Sequence, residues 1–148
     1  MPNSAFGILN ILIVEDSPGD ARLIQEGLRD AKIIYSPYIV KDGVEAMRFL
    51  YKTGEYANAP SPGLIILDLN LPKKDGREVL AEIKTDTKLK TIPVIIFTTS
   101  QAEEDIKKTY DLHANCYITK PLDFNQFIKV IQSIDGFWFS IVKLPPAK

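Results

Sequence analysis

Five short, largely aliphatic runs punctuate the chain, and the stretches between them carry apolar residues at helical spacing. The runs lie at about 8–14 (ILNILIV), 34–40 (IYSPYIV), 63–68 (GLIILD), 93–98 (PVIIFT) and 115–119 (NCYIT). Three of them are almost wholly aliphatic, as strands covered by helices on both faces require; a half-solvated antiparallel strand would alternate instead. The intervening segments predict helices over about 18–31, 43–53, 75–86, 102–112 and 123–136, the first opened by Ser17 as a cap and Pro18 in the first turn. This alternation predicts an α/β fold of the flavodoxin-like, doubly wound (βα)5 type, a parallel five-stranded sheet with right-handed crossovers. Pro37 cannot donate to a ladder, so the second run belongs at an edge. The order 2-1-3-4-5 puts it there and places the binding crevice beyond the carboxyl ends of the strands, where the first and third diverge.

Length supports one domain over residues 1–148, with a core at about 8–136 and an aromatic tail at 137–148. Apolar residues make up 45% and charged residues 25% with a net charge of −1, which argues against disorder and against a polyanion-binding surface. Nucleic acid is therefore not expected as a direct partner. The single cysteine, Cys116, excludes an internal disulfide and a four-cysteine zinc site, in keeping with a reducing cytoplasm. No apolar run approaches the roughly 18 residues of a membrane span, and the start MPNSAFG has no signal-peptide pattern, so neither membrane association nor export is expected.

Polar residues close the runs: Glu15 and Asp16 the first, Asp68 the third, Thr98 and Thr99 the fourth, Lys120 the fifth. In the predicted order these ends are neighbours, so carboxylates, hydroxyls and one ammonium share a cleft. Carboxylates crowded together repel, and a divalent cation keeps them ionised. An oxygen-only donor set suits Mg²⁺, with Asp16 and Asp68 as direct ligands, Glu15 binding directly or through water, and Asn70 offering its main-chain carbonyl. A carboxylate beside such an ion can act as a nucleophile towards phosphorus, with Lys120 and the Thr98 hydroxyl holding the other oxygens of the transferred group. Each residue also has a plainer role: Glu15 and Asp16 in a loop and helix cap, Asp68 opening a turn, Thr98 as a strand residue, Lys120 as a surface lysine. Their coincidence on one edge of four strands favours the shared site.

The segments ILIVEDSPGD, LIILDLNLPKKDG, PVIIFTTS and YITKP, in this order and spacing, resemble the receiver domains of two-component response regulators over about residues 8 to 136. The resemblance implies that Asp68 accepts a phosphoryl group from a sensor histidine kinase, that Glu15 and Asp16 are the acidic pair for Mg²⁺, that Thr98 is the switch hydroxyl and that Lys120 contacts the phosphoryl group. It also makes Tyr117 the aromatic switch whose ring turns inward on activation. The segment TYDLHANCYITKPLD, the connection EYANAPSPG and the aromatic FWFS look most like stand-alone regulators paired with cyanobacterial and bacterial phytochromes. Thr99 stands where many receivers carry Ala or Gly, which predicts narrower access and slower hydrolysis; Asn70 and Ser100 flank the site where the family varies.

His113, at the turn before the fifth strand, is expected to be structural, and Cys116 a small core residue. The tail residues Phe137, Trp138 and Phe139 either cover the base of the sheet or, with Ile141 and Val142, form a homodimer or kinase-docking surface. No output domain is expected after the fifth helix, so a downstream phosphotransfer or effector protein would be reached by noncovalent association. Three rivals stand beside the receiver reading. An aspartyl-nucleophile phosphatase lacks its usual second acid, because Asn70 occupies that position. A nucleotide-binding module lacks a glycine-rich phosphate loop after the first strand. A phosphorylation-independent adaptor would not require the complete acidic, hydroxyl and ammonium set.

Overall fold

The computed structural model describes residues 8–29 and 35–140, with 134–140 as backbone. The elements run β1 (Leu9–Val14), α1 (Pro18–Leu28), β2 (Tyr35–Val40), α2 (Gly43–Tyr51), β3 (Leu64–Leu67), α3 (Gly76–Thr85), β4 (Val94–Thr98), α4 (Glu103–Asp111), β5 (Cys116–Thr119) and α5 (Phe124–Ser140), with a 3-10 turn at Gly54–Tyr56. All pairings are parallel and the order is β2-β1-β3-β4-β5. The sheet is the expected doubly wound one, and Pro37 lies on the edge strand β2, opposite Ile11.

Two cores follow from the period-two alternation of strand side chains. Leu12, Val14, Ile65, Leu67, Val94 and Ile96 point to the face covered by α2 and α3, where Met47, Phe49, Leu50, Val79, Leu80 and Ile83 complete the larger cluster. Ile11, Ile13, Leu64, Ile66, Ile95 and Phe97 point the other way, against Ile24 and Leu28 of α1 and Phe127 and Ile131 of α5. Strands β1, β3 and β4 are thus buried on both sides, whereas every residue of the outer strand β5 is only partly buried. Cys116, on β5, packs against the second cluster while remaining partly exposed, so it is a core-flanking residue; burial raises its thiol pKa.

Local signals explain the element ends. Ser17 accepts the Asp20 N–H and caps α1; Asp42 accepts the Glu45 N–H and caps α2; Asp75 and Glu78 form a capping box on α3. Two glycines let backbones meet: a Cβ on Gly43 would lie 2.0 Å from the Lys74 carbonyl oxygen, and one on Gly76 would lie 2.2 Å from that of Asp68. Side chains there would push the loop between β3 and α3 off the sheet edge. His113 takes a left-handed φ of 69° and ends α4 in a Schellman turn, the Ala114 N–H reaching Thr109 O and its own N–H reaching Tyr110 O. It is exposed and structural, at the end of the sheet opposite the polar strand ends.

The fifth helix differs from expectation, running to Ser140 instead of ending near 136. Gly136 does not end it. A glycine without a following proline costs only about 1 kcal/mol in a helix, and each further residue adds a hydrogen bond. The backbone of Phe137, Trp138 and Phe139 is therefore helical, while the contacts expected of those rings, and Ile141 and Val142, lie outside the described residues. No helix among the described residues is long and apolar enough to cross a membrane.

Candidate functional site

Parallel strands bring Glu15, Asp68, Thr98 and Lys120 to one edge because each stands at or just beyond the end of its strand. Main-chain bonds fix them there: Glu15 N–H to Val40 O (3.0 Å), Asp68 N–H to Val14 O (3.1 Å) and Lys120 N–H to Thr98 O (2.7 Å). All four are buried, Asp68 to 5% exposure and Lys120 to 6%.

Lys120 is the electrostatic centre. Its Nζ donates to Glu15 Oε1 (2.6 Å), Asp20 Oδ2 (2.8 Å) and Asp68 Oδ2 (2.8 Å), with the Phe97 ring centroid 6.0 Å away. Burial alone pulls the ammonium's pKa down, but the bonds to Asp20, Asp68 and Glu15 outweigh it and hold the group above the ordinary lysine value. Glu15 is pushed up to about 7, first by burial and then by the neighbouring Asp68 charge, with Lys120 opposing both. Its second oxygen accepts the Ser17 N–H at 3.1 Å. Asp68 is held on both sides, since its Oδ1 accepts the Asn70 N–H at 3.0 Å.

Glu15, Asp16 and Asp68 each bring a carboxylate oxygen to within 4.8 Å of the others, with Asp16 exposed and the other two buried. Three hard oxygen donors, open to solvent on one side, fit a divalent cation that keeps part of its water shell. Burial, and after it the neighbouring Asp68 charge, favour the protonated form of Glu15, and a bound cation would offset both.

Around the mouth, Asn70 Nδ2 lies 3.4 Å from both Thr98 Oγ1 and Thr99 Oγ1, linking the loop after β3 to the loop after β4. Thr98 is fully buried and Thr99 exposed. Tyr117 is half-buried against the larger core, and its hydroxyl donates to the Ser100 carbonyl at 2.9 Å.

Three residues escaped the sequence reading. Asp20 reaches Lys120 from the first turn of α1. Arg77 on α3 makes a bidentate pair with Asp105 on α4, Nε to Oδ1 at 2.7 Å and Nη2 to Oδ2 at 2.6 Å, and Ser100 Oγ donates to the same Asp105 Oδ2 at 2.6 Å. The signal for Asp20 was its place three residues beyond the Ser17 cap, which turns it back towards the strand ends. Arg77 and Asp105 had no sequence signal beyond opposite charge.

Known proteins resemble this chain over most of its length. The model of the response regulator receiver domain matches residues 11–132. Response regulator Rcp1 of Synechocystis sp. is 53% identical over 137 residues, 93% of each chain. The crystal structure of the Mn²⁺-bound form of Rcp1 superposes with a TM-score of 0.90 at 52% identity, covering 93% of this chain and 99% of that one. The phosphorylated cyanobacterial phytochrome response regulator RcpA gives a TM-score of 0.90 at 52% identity over 94% and 99% of the two chains. With the fold, the acidic triad and the strand-end lysine in place, these matches establish that the chain belongs to the response regulator receiver domain family, the phosphoacceptor proteins of two-component signalling.

Proposed function

We propose that this chain accepts a phosphoryl group on Asp68 from a sensor histidine kinase of the phytochrome type, in the cytoplasm and with Mg²⁺, and passes the signal on through a protein-interaction face. The observation that carries the reading is the setting of Asp68: a buried carboxylate at a strand end, held by the Lys120 ammonium and the Asn70 N–H, with Glu15 and Asp16 oxygens within 4.8 Å. The phytochrome assignment draws on the likeness to RcpA.

An Asp68 oxygen forms a bond to phosphorus as the donor's nitrogen–phosphorus bond breaks, and the departing imidazole keeps the electron pair. Glu15, Asp16, Asp68 and the Asn70 carbonyl would hold the ion. Bound there, Mg²⁺ would offset the negative charge of the carboxylates and the phosphoryl oxygens. Lys120 and the Thr98 hydroxyl donate to the phosphoryl oxygens, and burial keeps water from competing with them. Movement of Thr98 would carry the 99–102 loop with it. Tyr117, bonded to Ser100, would report that movement to the face formed by α4, β5 and α5.

The test is intact-protein mass after incubation with acetyl phosphate, with and without Mg²⁺. The parent chain is expected to gain one phosphoryl group only with the ion, and Asp68→Asn none. Labelling of Asp68→Asn would overturn the choice of acceptor, and no labelling of the parent would move the function to a phosphorylation-independent adaptor.

A further inference from the structure

An ammonium group has three N–H donors, and in this structure all three of Lys120's meet carboxylates: Glu15, Asp20 and Asp68. A phosphoryl group on Asp68 carries about 1.5 to 2 negative charges in place of the carboxylate's one, and sets three acceptor oxygens beside them. For Lys120 to meet it, one contact must open. Glu15 is the costlier contact to open, because its side chain is 2% exposed and water does not replace the ammonium at the oxygen that faces Lys120. The Asp68 contact belongs to the acceptor itself and stays with the acyl phosphate. Asp20 is different: its side chain is 32% exposed on the first turn of α1, where water and the helix N-terminus satisfy a carboxylate that lets go.

We propose that Asp20 is a positioning residue for phosphoryl transfer, occupying the third N–H of Lys120 in the resting protein and releasing it to the incoming phosphoryl group. The proposal rests on Asp68 being the acceptor. Asp20 then competes with the phosphoryl oxygen for one hydrogen, and its removal favours the phosphorylated form.

Binding of beryllofluoride, a phosphoryl mimic, is measured with Mg²⁺ on the parent, Asp20→Ala and Asp20→Glu. Asp20→Ala is expected to bind it about two- to fivefold more tightly, the range for an ion pair with one partly solvated member, and Asp20→Glu to return towards the parent. The gain should persist in high salt, which screens a through-space charge effect but not a direct contact, and should vanish in a Lys120→Met background. Unchanged or weaker binding by Asp20→Ala, a gain lost in salt, or a gain that survives without Lys120 overturns the proposal. A parent that fails to bind, or an Asp68→Asn variant that binds, would instead sink the acceptor assignment.

Discussion

Lys120→Ala would leave Glu15 and Asp68 buried with no ammonium against them, and removing one partner of a buried ion pair costs about 3–5 kcal/mol. Without divalent ions the variant should therefore lose roughly that much unfolding free energy in urea, and Mg²⁺ should restore more stability to it than to the parent. Equal response of the two proteins to Mg²⁺ would speak against the acidic triad as an ion site. At this scale the sequence was most informative where a charge broke an aliphatic run: Glu15, Asp16, Asp68 and Lys120 all stood out because a polar residue directly after a strand has nowhere to go but the rim. Asp20, Arg77 and Asp105 lie within helices, where a charge ordinarily means a solvated face, and only the folded packing turns them inward.

Among the elements, α4 is held differently from its neighbours. Thr109 is its single fully buried residue, whereas α2 and α3 each bury several. The Arg77–Asp105 pair and the Ser100 hydroxyl therefore tie its first turn to α3 and to the 99–102 loop in place of an apolar stripe. The bonds from Arg77 and then Ser100 hold the Asp105 carboxyl down at about 2. Because this value is depressed on folding, the stabilisation is complete above the ordinary carboxylate value of 3.8 and is lost as pH falls through about 2. Asp105→Asn should be less stable than the parent near neutrality, with the gap closing in acid; a gap independent of pH in urea unfolding would rule out the ion pair as its source. Strand and helix positions were legible to within a few residues, because aliphatic runs and caps mark them directly. The extent of α5 was not, since a lone glycine marks a boundary only weakly. Nor was the weak packing of α4, which depends on a neighbouring helix's arginine.

For the whole molecule, the two cores meet through β1, β3 and β4, whose residues fill both clusters. These strands can open only when both faces are lost together, so their amides should exchange hydrogen at the rate of global unfolding, and those of α4 considerably sooner. Exchange of α4 as slow as that of β3 would show that the latch binds as firmly as a core. The sequence showed the sheet order through Pro37 and the aliphatic runs, but not the division of apolar positions between two layers of unequal size. The reach of Lys120 has a further consequence. Its partners lie 105, 100 and 52 residues earlier in the chain. A ribosome-bound chain that has not yet released β5 carries Asp68, the proposed acceptor, with Glu15 and Asp20, but not the ammonium that joins them. On the proposed reading, synthesis withholds chemical competence until β5 is laid down, and a chain that stalls or is cut before that point would be mute to a kinase.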